Sequence, residues 1–457
     1  MPLARTLAQA TPVLDPDVPL ESDDPRYVDF SDVRGGVAVS RLKKLLQRHG
    51  SNHQWEHAVF SSHRGAGKST ELKRLARELS ERCFPIYVEA GTALDPVEFS
   101  IEDLLLVLAR EIEAVFRNRG TPLPESATKA VENYFSDLIF VDDTTKSYLG
   151  GIETQAKQQA GIPFFATLMA NLTATLKFSS DHRETLRRQL RRYPGALLTH
   201  VNSLLREAGQ ILNEKSSQRL LLLIDNLDRY NPRFMDQLLV ASQDVFKSLQ
   251  CDLILTPPIE LILKPQSQSL DLVFRCEQMP TISLRSRNQG YWEFSGNGRE
   301  KLIEALGKRI DIDRLIPDPE ARNLLAAASG GGIREFFRLA QTCTLDAEGD
   351  TITVDDLQGT LKRQRSEFRN RIDANNWWPA LQAIAATKRM SSDAAQQEVV
   401  FQRLAFQYNG DIWYDVHPLV ADLLRTGAAA APGTPPVANV APSPKAARRG
   451  RSRKGRS

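Results

Sequence analysis

The stretch Ser61-Ser62-His63-Arg64-Gly65-Ala66-Gly67-Lys68-Ser69-Thr70 decides how this chain is organised. It follows the apolar run Ala58-Val59-Phe60 and opens a segment in which Leu72, Leu75 and Leu79 recur at helical spacing. Strand, glycine-rich turn and helix start, in that order, favour a phosphate-binding loop, because backbone N–H groups and the positive end of the helix then converge on one anion. The alternative is a chance Gly-Lys-Ser in a surface loop.

Each position of this loop has an expected role. Lys68 would reach the β- and γ-phosphates of a nucleotide, and the Ser69 hydroxyl would ligate Mg²⁺. The usual pattern G-x-x-x-x-G-K-[ST] has glycine where this chain has Ser62, whereas Gly65 and Gly67 are present. The other residues expected to cradle phosphates are Ser62, His63, Arg64, Gly65, Ala66, Gly67 and Thr70.

A second stretch, residues 219–225, is an apolar run that ends in Asp225. Such a run is typical of a central parallel strand, and an acid at its end would hold Mg²⁺ directly or through water. The next residue, Asn226, cannot accept a proton, so we expect Asp228 to be the nearest base and hydrolysis to be slow or completed by a partner. Arg229 either pairs with Asp228, which we favour, or reaches a neighbouring subunit's γ-phosphate.

Further strand patterns lie at residues 84–89, 252–256 and 272–275, with helical patterns between them. Strands that alternate with helices predict an α/β fold with a doubly wound, mainly parallel P-loop sheet that binds ligand at the strand C-termini. Thr256, at a strand tip, is either a γ-phosphate sensor or a hydroxyl that caps the strand. Tyr27 and Val28 are candidates for the adenine pocket or for plain core packing.

From about residue 295 the strand patterns stop, and helices predicted at residues 301–309, 319–328 and 333–342 form a lid. The run Ser329-Gly330-Gly331-Gly332-Ile333-Arg334 allows a sharp turn before the third helix. Arg334 would then face the cleft and bind the γ-phosphate, the alternative being a surface arginine.

The C-terminal region predicts two helices, at 376–387 and 399–406, and then a hairpin around Asn409-Gly410. Helices followed by a hairpin favour a winged helix. The hairpin carries Asp411 and no Lys or Arg, so we expect it to contact protein rather than DNA. His417 has no companion ligand and is expected to be structural.

These patterns divide the chain into consecutive parts. They are an extended lead-in (1–30), a P-loop ATPase core (31–294) with a helical insertion (151–215), a helical lid (295–370), a winged-helix-like domain (371–426) and a disordered basic tail (427–457).

Composition is that of a soluble globular protein, with 457 residues, 41% hydrophobic and 25% charged. Four scattered cysteines and the absence of a signal peptide favour the cytoplasm. The uncharged residues 158–176 are expected to form an amphipathic helix rather than a membrane span. Five arginines between 183 and 192 indicate a solvated face or, alternatively, a phosphate or partner contact.

The charge is unevenly distributed. The last fourteen residues hold seven Lys or Arg and no acid, and without those seven charges the net charge falls from +3 to −4. The body of the protein is therefore not a basic nucleic-acid-binding surface overall. The tail is either a solvated segment or a non-specific contact to DNA.

Three motifs together resemble the Walker A, Walker B and sensor-2 regions of AAA+-type P-loop ATPases: residues 65–70, 223–228 and 329–334. The resemblance is to the branch with origin-recognition ATPases and signalling STAND ATPases, and it covers about residues 30–345. It implies an oligomeric, ATP-driven switch with a helical lid, a winged helix and Mg²⁺. The residues expected to carry the chemistry are Lys68, Asp225, Asp228, Thr256 and Arg334, with Ser69 and Asp225 on the metal.

We therefore expect an ATP-binding switch with weak or partner-stimulated hydrolysis, of a regulatory or antiviral-defence signalling type. It would act as a homo-oligomer, with a co-encoded effector, or both. The alternative is a DNA-associated AAA+ ATPase of initiator or transposition-regulator type, and a weaker one is a non-hydrolysing scaffold. No guanine-recognition motif is present, which favours adenine.

Overall fold

The computed structural model describes most of the chain. The described residues are 2–35, 37–48, 55–139, 154, 163–178, 180–192, 194–263, 270–408 and 412–427. The predicted basic tail, the hairpin turn at Asn409-Gly410 and part of the predicted insertion therefore lie outside the described residues.

Helices and strands alternate through the N-terminal part. In chain order they are α1 (Leu7–Val13), α2 (Val37–Arg48), β1 (His57–Ser62), α3 (Lys68–Glu78), β2 (Cys83–Glu89), α4 (Ala90–Ala93), α5 (Ile101–Asn118), α6 (Glu125–Ile139), α7 (Phe164–Phe178), α8 (Ser180–Arg192), α9 (Pro194–Ser216), β3 (Arg219–Asp225), α10 (Pro232–Ala241), α11 (Gln243–Ser248), β4 (Asp252–Leu255) and β5 (Arg275–Met279). Short 3₁₀ turns follow β3 and β4, at Leu227–Arg229 and Ile259–Leu263.

The C-terminal part is helical apart from one hairpin. Its elements are α12 (Gly298–Gly307), α13 (Ile312–Leu315), α14 (Pro319–Ala328), α15 (Ile333–Asp346), α16 (Val354–Asn375), α17 (Trp378–Thr387), α18 (Ala394–Phe401), β6 (Ala405–Tyr408), β7 (Trp413–Val416) and α19 (Pro418–Arg425). The antiparallel pairing of β6 with β7 confirms the predicted hairpin. The helix predicted at 399–406 instead ends at Phe401, because β6 begins at Ala405.

A five-stranded parallel sheet forms the core, in the order β2-β3-β4-β1-β5. Alternate residues of β3 pack into different hydrophobic clusters: Leu222 lies with residues of α5 and α9, and Leu221 and Leu223 lie with residues of α2 and α3. Helices therefore cover both faces, which explains why β3 is apolar throughout. The predicted α/β fold with a parallel P-loop sheet is confirmed.

The strand predicted at residues 272–275 is displaced. Val273 and Phe274 donate backbone hydrogen bonds to the Leu270 carbonyl, so this apolar run is a turn that buries Phe274. The strand β5 begins at Arg275 and follows β1 in register.

The basic run of α8 is only partly a solvated face. Arg187 is buried and lies 2.5 Å from the carboxylate of Asp103 on α5, and Arg183 lies 2.8 Å from that of Asp95. Arg188 and Arg191 are exposed, as expected. Two of these arginines therefore hold α8 against the core.

The described part of the uncharged segment, α7, packs inside the protein. Leu168, Met169 and Leu172 are buried in the same cluster as α5. Within the described ranges, no helix has the length and apolar run that a bilayer crossing requires.

The predicted extended lead-in contains the helix α1, which packs on α15 of the lid. The hydroxyls of Thr11 and Thr344 are 2.7 Å apart at this contact. The chain then crosses to the helix α3, where the Leu20 amide donates to the Thr70 hydroxyl and Lys73 pairs with Glu21. We call residues 15–34 the strap, since they join the lid to the P-loop helix.

The P-loop contacts the lid through a backbone carbonyl and the C-terminal hairpin through a side chain. The Arg334 amide donates to the Gly65 carbonyl at 3.0 Å, which docks the start of α15 on the loop. The Gln407 amide donates to His63 Nε2 at 2.7 Å, which docks β6 on the same loop. Burial lowers the pKa of His63 to about 3, so the ring is neutral and can accept this bond.

Gly65→Ala should destabilise the protein. Gly65 has a φ of +82°, which costs an L-residue about 1–2 kcal/mol, and a Cβ there would overlap Arg334. The matched control is Gly120→Ala, where φ is +69° and nothing lies within 4 Å of an added Cβ. In thermal unfolding, Gly65→Ala should lose clearly more than the control; equal losses would show that the lid is not docked on Gly65.

The contribution of two buried histidines to stability should fall as the pH drops below about 6.5. Burial lowers the pKa of His63 to about 3 and that of His417 to about 4, from an ordinary value of 6.5. The unfolded chain therefore binds more protons than the native one in this window, at up to about 1.36 kcal/mol per pH unit for each group. His63→Gln, which keeps an acceptor but does not titrate, should flatten the dependence of the melting temperature on pH between 7 and 5. An unchanged slope would contradict the buried, neutral His63.

Candidate nucleotide-binding site

A cavity of about 230 Å³ opens at the C-terminal edge of the sheet, between the core, the lid and the strap. The P-loop residues that line it are Arg64, Gly65, Gly67, Lys68, Ser69 and Thr70. Lys68 and Ser69 begin α3, and Gly67 precedes it with a φ of +93°. The positive end of α3 therefore faces the cavity, which suits an anionic ligand.

The other walls come from elements distant in sequence. Polar walls are formed by Tyr87, Glu89, Asn226, Asp228, Arg229 and Arg334. Apolar walls are formed by Val18, Leu20, Val28, Ala305, Ile333 and Phe337. The lining thus combines polar groups that suit phosphates with apolar groups that suit a base.

The P-loop lysine is held by an acid. Lys68 Nζ lies 2.6 Å from Asp228 Oδ2, and both side chains are almost fully buried. The expected pairing of Asp228 with Arg229 is wrong for the described residues, because Asp228 pairs with Lys68 and Arg229 lies beside Gly91. Because the ammonium is buried and paired, an incoming phosphate must replace or share the Asp228 carboxylate.

Asp225 lies at the centre of a hydrogen-bond cluster. It is fully buried, and its Oδ1 accepts from the Asn226 amide at 2.8 Å and from the Thr256 hydroxyl at 2.9 Å. Tyr87 donates to Oδ2. Burial acts to raise the pKa of Asp225, but the Lys68 charge and hydrogen bonds with Ser69 and Tyr87 outweigh it, and the pKa lies below its usual value.

The donors at this point fit Mg²⁺. Ser69, at the start of α3, contributes to the lowered pKa of Asp225, so the two expected oxygen ligands lie near each other. Mg²⁺ is typically held by one or two protein oxygens together with substrate phosphates and water. No cluster of three or more His, Cys, Asp or Glu that could hold a metal alone occurs in the described ranges.

Thr256 contacts Asp225 and is not placed for the predicted contact with a γ-phosphate. Like Asp225, it is fully buried and does not line the cavity, and it donates to Asp225 Oδ1. Its position at the end of β4 therefore orients the carboxylate instead of facing the cleft.

Three residues of the predicted cradle also lie away from the cavity lining. The Ser62 hydroxyl donates to the His63 carbonyl, and His63 faces β6. The Ala66 carbonyl accepts from the buried Arg34, which belongs to the strap. These three residues therefore hold the loop in place through contacts away from the cavity.

Arg334 lines the cleft as predicted, but an acid of the strap lies beside it. Arg334 Nε is 3.4 Å from Asp17 Oδ1, without a hydrogen bond. Arg338, one turn along α15, is 4.0 Å from the same oxygen. An anion therefore already lies where a γ-phosphate was expected.

Sequence reasoning missed Glu89, Tyr87 and Asp17. Glu89 ends a strand that was correctly predicted, but its place in register with Asp225 comes from the pairing of β2 with β3, which the sequence does not specify. Asp17 lies far from the P-loop in sequence, and its approach depends on how α1 packs on α15, for which the sequence has no signal.

Comparison with protein families finds a match to a P-loop domain. Residues 64–271 match the KAP family P-loop domain. The match covers residues 64–70 of the P-loop together with β3 and β4, which supports a P-loop NTPase fold for the core. It extends over less than half of the chain and stops before the lid.

Solved structures with distant similarity include the Walker-type ATPase PABY2304 of Pyrococcus abyssi, with 13% identity, coverage of 90% of this chain and 99% of that chain, and a TM-score of 0.41. The ORC2 protein of Aeropyrum pernix in ADPNP–ADP complexes has 12% identity, coverage of 91% of this chain and 97% of that chain, and a TM-score of 0.40. Drosophila ORC bound to DNA has 14% identity, coverage of 92% of this chain and 91% of that chain, and a TM-score of 0.36. These scores are too low to support an inference about function. No curated protein matches the sequence.

Proposed function

We propose that this protein is an ATP-binding switch with slow or partner-stimulated hydrolysis, which couples its nucleotide state to assembly with a protein partner. The observation that carries the proposal is that one loop, residues 61–70, lines the cavity and also bonds to the lid and to the C-terminal hairpin. A ligand that moves this loop would therefore change its contacts with the lid and with the hairpin.

The cleft supports ATP as the ligand. In this proposal the phosphates lie on the α3 N-terminus, Lys68 leaves Asp228 for the β- and γ-phosphates, and the base lies against Tyr27 and Val28. Ser69 and Asp225 would hold Mg²⁺, which neutralises phosphate charge when it is bound.

The lid would detect the third phosphate. Among the described residues, the acid that lies within 4.0 Å of the Arg334 guanidinium is the exposed Asp17. We propose that the γ-phosphate of ATP replaces Asp17, whereas ADP does not reach Arg334. ATP can shift the lid only by its differential affinity for the two arrangements.

The C-terminal unit would transmit the change. The helices α17 and α18, the β6–β7 hairpin and α19 are arranged in the order of a winged helix, and both strands are buried. Gln407 also donates to Gln278 at the end of β5. Since the hairpin packs on the core, we propose that it works as a nucleotide-sensitive joint for a protein partner or a second copy, in a regulatory or defence-type role.

Lys68→Ala should weaken ATP binding strongly. Removing a charge-assisted contact to phosphate costs about 1.5–3 kcal/mol, which is roughly ten- to a hundredfold in affinity. Titration of a fluorescent ATP analogue measures the loss, circular dichroism confirms folding, and Lys43→Ala, at an exposed pair with Glu78, is the control. Unchanged affinity in Lys68→Ala would refute the proposal. Duplex DNA that raises turnover only when residues 427–457 are present would favour a DNA-associated ATPase instead.

Asp17→Asn should tighten ATP binding by up to about fivefold, the range expected for loss of an exposed ion pair. The reason is that Asp17 competes with the γ-phosphate for Arg334. ADP affinity should change less, because ADP lacks that phosphate. Asp23→Asn, in the same strap but outside the cavity lining, is the control. Equal effects on ATP and ADP would contradict the role of Arg334.

A further inference from the structure

Three carboxylates at the C-terminal edge of the sheet differ in the hydrogen bonds and ion pairs that they form. Asp225 accepts hydrogen bonds on both oxygens, and Asp228 forms the buried ion pair with Lys68. Glu89 accepts one hydrogen bond, from Asn226 Nδ2 to its Oε1 at 3.0 Å. In the described part of the chain its Oε2 accepts none, so Glu89 has an oxygen left for a ligand.

The position of Glu89 follows from the sheet. β2 and β3 are parallel neighbours, and Glu89 is the register partner of Asp225. Adjacent strands lie about 4.8 Å apart, so Glu89 is one strand away from the proposed Mg²⁺ ligand. Glu89 lines the cavity, together with Asn226.

Asn226 has a backbone conformation that directs it toward Glu89. Its φ is +64°, in the left-handed region, which asparagine tolerates better than most residues. Asn226 directly follows Asp225, and its side-chain amide donates to the Glu89 carboxylate on the adjacent strand. The two positions thus form one unit, with the acid on β2 and the amide after β3.

Another buried acid nearby is poorly suited to accept a proton. Glu260 does not line the cavity. Burial raises its pKa to about 8, so it is largely protonated at neutral pH.

We propose that Glu89 is the general base for ATP hydrolysis, that Asn226 is its positioning residue, and that Asp228 serves as the counter-ion of Lys68. This assignment rests on the proposed function and replaces Asp228 as the expected base. Water attacks the γ-phosphorus and passes its proton to Glu89 Oε2. The bond from the γ-phosphorus to the bridging oxygen breaks, its electron pair leaves with ADP, and inorganic phosphate is the second product.

Glu89→Gln is the central test, because it keeps the shape and an acceptor for Asn226 but removes the base. We expect ATP affinity within about threefold of wild type and single-turnover hydrolysis slowed at least about a hundredfold, the usual contribution of a general base. Nucleotide recovered from the protein after incubation should be ATP rather than ADP.

Two further variants separate the roles. Asp228→Asn should slow hydrolysis less than Glu89→Gln does, and should change ATP affinity because Lys68 loses its counter-ion. Asn226→Ala should lower kcat about tenfold with KM unchanged, which a loss of folding would not do. Melting temperatures of all variants provide the check on folding.

The outcomes distinguish the assignment of Glu89 as the base from the proposed function. Normal hydrolysis in Glu89→Gln with none in Asp228→Asn would overturn the assignment and make Asp228 the base. Wild type that binds ATP but never releases phosphate would overturn the assignment while leaving nucleotide binding intact. Wild type that does not bind ATP would overturn the proposed function itself.

Discussion

The hydrogen bond from the Arg334 amide to the Gly65 carbonyl is the contact on which the rest of the structure depends. It fixes the start of α15 on the P-loop at a glycine whose left-handed conformation and missing side chain permit that approach. The lid therefore shares a wall with the phosphate site. The same loop meets β6 through His63, so three parts of the molecule converge on ten residues.

Two cations of the cleft lie beside carboxylates that an incoming phosphate would have to replace. Lys68 and Arg334 each have a carboxylate nearby, Asp228 and Asp17 respectively. Burying a charge is costly unless it is paired, so these acids stabilise the cleft without a ligand. A triphosphate would compete with both. The difference between the two pairs matters: Asp228 is buried, whereas Asp17 is 62% exposed and can leave at low cost.

Much of the core could be predicted because its signals are local. The apolar run before Asp225, the glycines of the P-loop and the spacing of Leu72 and Leu75 each define one element, and the parallel sheet follows from their order. The strand at 272–275 was misplaced because a turn that buries Phe274 has the same apolar composition as a strand.

The contacts of the site were harder to predict than its elements. Pairing of Asp228 with Lys68, and of Asn226 with Glu89, joins residues that are 160 and 137 positions apart. Strand order decides the second pair, and the sequence does not specify that β2 lies beside β3. The contact of Thr256 with Asp225 likewise depends on how far β4 extends relative to β3.

Hydrogen–deuterium exchange of the hairpin, with and without ATP, tests the central claim most directly. If the P-loop links the nucleotide to both C-terminal units, ATP should change the exchange of residues 405–408 and of the first turn of α15, and Lys68→Ala should abolish both changes. ATP that binds to the wild-type protein and protects the P-loop, yet leaves exchange in the hairpin and the lid unchanged, would contradict the account.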